Sequence, residues 1–81
     1  MSIRILFFAS FRDITGMDET SVDAAGFTDM NSIFNKFAKD FPSLENYRSN
    51  VLFARNSEFA QADSPVQDGD EVAFFPPVSG G

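Results

Sequence analysis

The chain has 81 residues, the size of one domain with one core, and sets twelve acidic residues against six basic ones for a net charge of −6. It has no cysteine and no histidine, which excludes disulfide frameworks, thiolate nucleophiles, cysteine-ligated metal clusters, histidine metal ligands and Ser-His catalysis by the chain on its own. The acidic balance argues against nucleic acid and anionic membrane as partners and for a basic protein surface, and with no apolar run of about 18 residues and no separate signal segment the expected location is the cytoplasm.

Ser2 to Ala9 reads as a strand with Ile3, Ile5 and Phe7 on one face and Arg4, Leu6 and Phe8 on the other. Both faces are mostly apolar, so the strand belongs inside a sheet, with one face on the core and the second covered or reserved for a partner. Phe11 and Ile14 then fit one helical turn closed by Gly16. Glu19 to Asp23 fits a half-exposed strand paired back on the first. Thr28 offers an N-cap with Asp29 in the first turn, and Met30, Ile33, Phe34, Phe37, Ala38 and Phe41 recur at three- and four-residue steps until Pro42. This is the clearest helix in the chain. A phenylalanine stripe at that spacing is core filling rather than a cofactor pocket, and eleven phenylalanines in all supply bulky apolar volume without disulfides.

Pro42 to Tyr47 suggests one more turn with proline at the first helical position. Val51 to Arg55 reads as a strand, Asn56-Ser57 as a turn and Glu58 to Gln61 as a short strand. The carboxylate pairs Asp18-Glu19 and Asp68/Asp70 read as solvated turns rather than a catalytic couple, and no phosphate-binding glycine motif occurs. Asp68-Gly69 reverses the chain into a last strand, Val72 to Phe75. Pro76 and Pro77 end it, because neither can donate a ladder hydrogen bond, and leave a stiff spacer before Val78, Ser79, Gly80 and Gly81. Two residues without Cβ make the thinnest backbone available, so the Gly81 carboxylate can enter a narrow passage. A carboxylate is a poor electrophile, and the general route to activating it is acyl adenylation by a separate enzyme that uses ATP.

The stretch Asp68-Gly69-Asp70-Glu71-Val72-Ala73-Phe74-Phe75-Pro76-Pro77-Val78-Ser79-Gly80-Gly81 resembles the C-terminus of the small subunit of molybdopterin synthase, the ubiquitin-like sulfur carrier of molybdenum cofactor biosynthesis. Arg12 and Gly16 match the family's short segment after the first strand, and Ala54-Arg55-Asn56 adds support, although Arg55 stands where the family commonly has an apolar residue. The resemblance and the order of elements together imply an α+β β-grasp fold, a mixed sheet wrapped around one main helix with its first and last strands parallel. One domain is expected over residues 1–81, ordered from about 2 to 76, with an extended tail at 77–81.

The resemblance further implies that Gly81 is adenylated by an activating enzyme, converted to a thiocarboxylate with sulfur from a sulfur-delivering enzyme, and inserted into the synthase large subunit. There the sulfur passes to a pterin precursor to build the dithiolene. Val78, Ser79 and Gly80 are the expected insertion segment, and Leu6, Phe8, Phe75, Pro76 and Pro77 the expected partner surface. No metal or cofactor is expected on the chain itself, ATP serving the activating enzyme, and the family assembles from two small and two large subunits. Two rival readings share the Gly-Gly end. One is a sulfur carrier for thiazole synthesis, against which Phe74-Phe75-Pro76-Pro77-Val78 argues, and the other a ubiquitin-like modifier conjugated to lysines through Gly81.

Overall fold

The computed structural model describes residues 1–77, so the expected insertion segment and Gly81 lie outside the described residues. Strand β1 (Ser2–Phe7) leads through a short helix α1 (Ser10–Thr15) to β2 (Glu19–Asp23), and a 3-10 turn carries the chain into the main helix α2 (Met30–Asp40). A second 3-10 segment, Pro42–Tyr47, precedes β3 (Leu52–Arg55), β4 (Glu58–Ala60) and β5 (Glu71–Phe75). The five strands form one sheet in the order β2-β1-β5-β3-β4. All neighbours are antiparallel except β1 and β5, which run parallel with Ile5 opposite Val72 and Phe7 opposite Phe74. The parallel pairing of first and last strands is the one the β-grasp resemblance implies.

Alternation along the strands decides which face meets α2. Ile3, Ile5 and Phe7 of β1, Val72 and Phe74 of β5 and Phe53 of β3 are all buried, and α2 lays Met30, Ile33, Phe34, Phe37 and Ala38 across them. Phe74 sits at the middle of an aromatic cluster, stacked on Phe7 at 5.9 Å between ring centroids and edge-on to Phe34 at 5.9 Å and Phe53 at 5.5 Å. Phe41, expected in this stripe, caps the helix C-terminus and is only partly buried, because its backbone has already left helical geometry. Phe11 extends the core from α1 and meets Tyr47 edge-on at 5.1 Å.

The helix start differs from the expected one by a residue. Asp29, not Thr28, is the N-cap of α2: its carboxylate accepts from the Ser32 N–H at 2.8 Å, and the Ser32 hydroxyl accepts from the Asp29 N–H at 3.2 Å. Thr28 is drawn outward, its carbonyl accepting from the Val66 N–H at 3.0 Å. The same segment satisfies two more orphan donors of the helix start, since the Met30 N–H reaches the Ser64 carbonyl at 3.0 Å and the Asn31 N–H the Ala62 carbonyl at 2.8 Å.

The loop before β5 is likewise tied down. Asp70, expected in a solvated turn, is only 5% exposed. Its carboxylate accepts from the Gln67 N–H at 2.8 Å and from Asn56 Nδ2 at 3.1 Å, with Arg55 Nε at 3.8 Å. Asn56 completes the clasp by accepting from the Glu71 N–H at 2.9 Å, which fastens the β3–β4 turn to the start of β5. Arg55, the family departure, therefore leaves β3 fully paired: its register partners are Val72 and Glu58, and its guanidinium donates to the Pro65 carbonyl at 2.7 Å.

Candidate functional site

The sheet face turned away from α2 carries the residues at alternate positions to the core set. Register places Leu6 opposite Ala73, Ala73 opposite Ala54 and Ala54 opposite Phe59, so one row crosses four strands. The next row holds Phe75 with Leu52 opposite it, and Phe8, just past the end of β1, lies over Phe75 with centroids 4.7 Å apart and planes 8° from parallel. The two alanines, buried but short, form the floor of a trough of about 200 Å³ lined by Leu6, Phe8, Ala54, Ser57, Phe59, Glu71, Ala73 and Phe75. Its walls are aromatic. Phe59 stands 81% exposed at the β4 edge, with Phe8 at 41% and Leu52 at 39%.

Charge closes the trough at its other end. Arg4 reaches Glu19 at 2.9 Å and Glu71 at 3.2 Å, joining β2, β1 and β5 across the face. All three groups are at least one-third exposed, so their worth is mainly in orientation and partner choice rather than in stability. Apolar side chains left in water across several strands, rimmed by charge, form the kind of surface that marks a protein–protein contact.

Of the expected partner residues, the structure brings Leu6, Phe8 and Phe75 together and places Pro76 and Pro77, both half-buried, directly after Phe75 at the end of β5. Val78, Ser79, Gly80 and Gly81 fall outside the described residues. Sequence reasoning missed Phe59, Leu52, Ala54 and Ala73. The signal available for Phe59 was a lone aromatic in a short polar stretch, Ser57-Glu58-Phe59-Ala60-Gln61, where a core position would carry flanking apolar residues.

The resolved pKa shifts belong to Glu45 and Arg48, at the end of the second 3-10 segment. The Arg48 guanidinium hydrogen-bonds the Glu45 carboxylate at 2.6 and 2.8 Å, which lowers the carboxyl and raises the guanidinium from their ordinary values. Arg48 also donates to Asn31 Oδ1 at 3.1 Å and lies 5.1 Å from the Phe34 ring centroid, so the pair fastens that segment to α2. Among the described residues no group of three or more acidic or other ligating side chains is placed to hold a metal ion, and no helix is long and apolar enough to cross a membrane.

A five-stranded mixed sheet wrapped on one main helix, with a parallel β1–β5 pair at its centre, defines a ubiquitin-like β-grasp protein. The ThiS family matches the chain over residues 5–81, and the chain belongs to that family. It is 42% identical to the molybdopterin synthase sulfur carrier subunit of Escherichia coli, covering 98% of this chain and 99% of that protein. The subunit of the same name from Arabidopsis thaliana is 35% identical, over all of this chain and 84% of the relative. Among solved structures, SAMP1 from Haloferax volcanii superposes with a TM-score of 0.80 at 29% identity, with both chains fully covered.

Proposed function

We infer that the chain is the sulfur carrier subunit of molybdopterin synthase and that its own contribution is positioning, the reacting atom being the C-terminal carbonyl carbon of Gly81. The observation that carries this reading is continuity. β5 supplies Phe75 to the aromatic face and Phe74 to the core, and the chain passes from the end of that strand into Pro76-Pro77, four residues before Gly81. Docking of the face therefore fixes the origin of the last four residues, whose carboxylate can reach at most about 13–14 Å beyond Pro77. Identity over the whole length to carriers of that name supports the same reading.

In this scheme the Gly81 carboxylate attacks the α-phosphorus of ATP on the activating enzyme, releasing pyrophosphate and leaving an acyl adenylate. Sulfide-level sulfur, HS−, supplied by the sulfur-delivering enzyme displaces AMP and loses its proton to give the thiocarboxylate. The large subunit receives the tail, the sulfur passes to the pterin precursor, and water restores the carboxylate. Having neither cysteine nor histidine, the chain brings no thiolate or imidazole to these steps beyond its own Gly81 terminus. Gly80 and Gly81 matter because backbone alone must approach the reacting centre.

Intact-mass analysis after incubation with the activating enzyme, ATP and a sulfur donor tests the reading: one oxygen-to-sulfur exchange confined to Gly81 is expected. Likeness to SAMP1, described as a small archaeal modifier protein, supports a second reading in which Gly81 is joined to lysines of other proteins. Covalent adducts on other proteins without thiocarboxylate formation would favour it.

A further inference from the structure

Between β1 and α1 the chain changes direction in two residues. The Phe8 carbonyl accepts from the Phe11 N–H at 3.1 Å, closing a four-residue turn, and the first central residue, Ala9, has φ 52 and ψ −126. Those are type II′ values, and the position is one at which glycine is the ordinary occupant. An L-residue with a Cβ is strained there, and nothing covers Ala9, which is exposed. The turn divides two aromatics with different tasks. Phe11, after it, is fully buried in the core, whereas Phe8, before it, stands 41% exposed and stacks on Phe75 on the trough wall.

We propose that the Ala9 turn is a strained clasp that lowers the docking affinity of the trough by letting Phe8 exchange between its place over Phe75 and a relaxed position off it. The proposal rests on the reading that this face docks the large subunit. Core burial holds Phe11, and the Arg12 and Asp13 N–H groups hold the Ala9 carbonyl at 3.0 and 3.3 Å. Phe8 is held by its exposed stack and by one bond, from the Phe11 N–H to its carbonyl, so relaxation of Ala9 toward negative φ gives up that bond and moves Phe8 rather than Phe11. A partner that needs the stacked form binds only that fraction, and its apparent dissociation constant rises in inverse proportion. A carrier that visits an activating enzyme and then a synthase through one face benefits from such a limit, because each complex must also dissociate.

A graded series at position 9 tests this. In Ala9→Val a β-branched side chain is still less compatible with positive φ. Ala9→Gly removes the strain. D-alanine, placed by chemical synthesis of the chain, removes it and also biases the position correctly, since the mirror image of the observed angles, φ −52 and ψ +126, is ordinary extended geometry. Thermal midpoint and affinity for the large subunit should both rise from Val through Ala and Gly to D-alanine, with Ala9→Gly tighter than wild type by up to about twofold, the limit where the stacked form is already the major one, and Ala9→Val weaker by a larger factor. Ring-current shifts of Phe8 and Phe75 in the free chain should move in the same order toward a fully stacked limit.

Midpoints that climb while affinity and ring shifts stay constant would make the turn merely structural and overturn the clasp. Weaker binding by the Gly or D-alanine forms would also overturn it. Should Ala9→Val not fold, the Gly and D-alanine forms still decide. If wild type does not bind the large subunit while the ring shifts move as described, the docking reading fails and the affinity claim with it, though the exchange of Phe8 stands.

Discussion

Replacing Phe75 by alanine separates docking from folding, because this ring belongs to the trough and not to the core. It stacks on Phe8 at 4.7 Å, while its strand neighbour Phe74 points the opposite way into the aromatic cluster. Loss of the stacked pair costs the fold about 0.5–1.5 kcal/mol beyond the area exposed, which for a domain of this size lowers the thermal midpoint by roughly 4–8 °C per kcal/mol. A central interface aromatic costs about 2 kcal/mol or more when truncated, hence roughly a thirtyfold rise in Kd for the large subunit. Titration calorimetry with the large subunit, paired with thermal unfolding of the free chain, reads both quantities. Phe59→Ala is the companion variant: its ring is 81% exposed, so binding should fall with almost no change in midpoint. Lys39→Ala, exposed on α2 behind the sheet, should change neither. Unchanged affinity for Phe75→Ala with an intact fold would remove the trough from the interface, and an equal loss from Lys39→Ala would place the interface on the wrong side.

Phe37→Ala should cost about 3–5 kcal/mol, a large share of the total for a chain this short, because the ring is buried and meets Phe7 edge-on at 5.1 Å; an unchanged denaturant midpoint would refute the core assignment. The Glu45–Arg48 pair should show as an acid limb: Glu45 is lowered in the folded chain, so its contribution is present above the ordinary carboxylate pKa and is lost as pH falls through the lowered value. Glu45→Gln should therefore be less stable than wild type at neutral pH and converge with it in acid, and a gap that persists at about pH 2 would contradict the assignment. One residue added after Gly81 displaces the carboxylate by up to about 3.3–3.6 Å, which should leave docking intact and abolish sulfur transfer, where a misplacement of about 1 Å already costs two orders of magnitude; full activity of the extended chain would refute the need for an exact reach.

Regular periodicity made much of this structure legible in the sequence. The two-residue alternation of Ile3, Ile5 and Phe7 and the three- and four-residue steps from Met30 to Ala38 each specify an element and its inward face, and both are observed. Asp68-Gly69 and Asn56-Ser57 announced turns that the backbone makes, with positive φ at Gly69, Asn56 and Ser57. What stayed hidden depends on contacts between distant segments. Thr28 and Asp29 are both competent caps, and the choice is made by Ser32 and by the docking of residues 62–66 along the helix start. Asp70 looked solvated because its partners, Asn56 and Arg55, are donated by another hairpin. Only the register of β3 and β4, each too short to show alternation, reveals that Ala54, Ala73 and Phe59 line up with Leu6. Leu6, Phe8 and Phe75 were readable as a patch because two-sided apolar strands in a small chain leave one face without a cover.

As proposed above, Gly81 carries the transferable sulfur. The most direct test is a single-turnover reaction of the large subunit and the pterin precursor with wild-type chain bearing either a thiocarboxylate or a plain carboxylate at Gly81, read by dithiolene formed. Product is expected from the thiocarboxylate alone, in proportion to the thiocarboxylated chain supplied and with the plain carboxylate recovered at Gly81. Equal product from the plain carboxylate would contradict it.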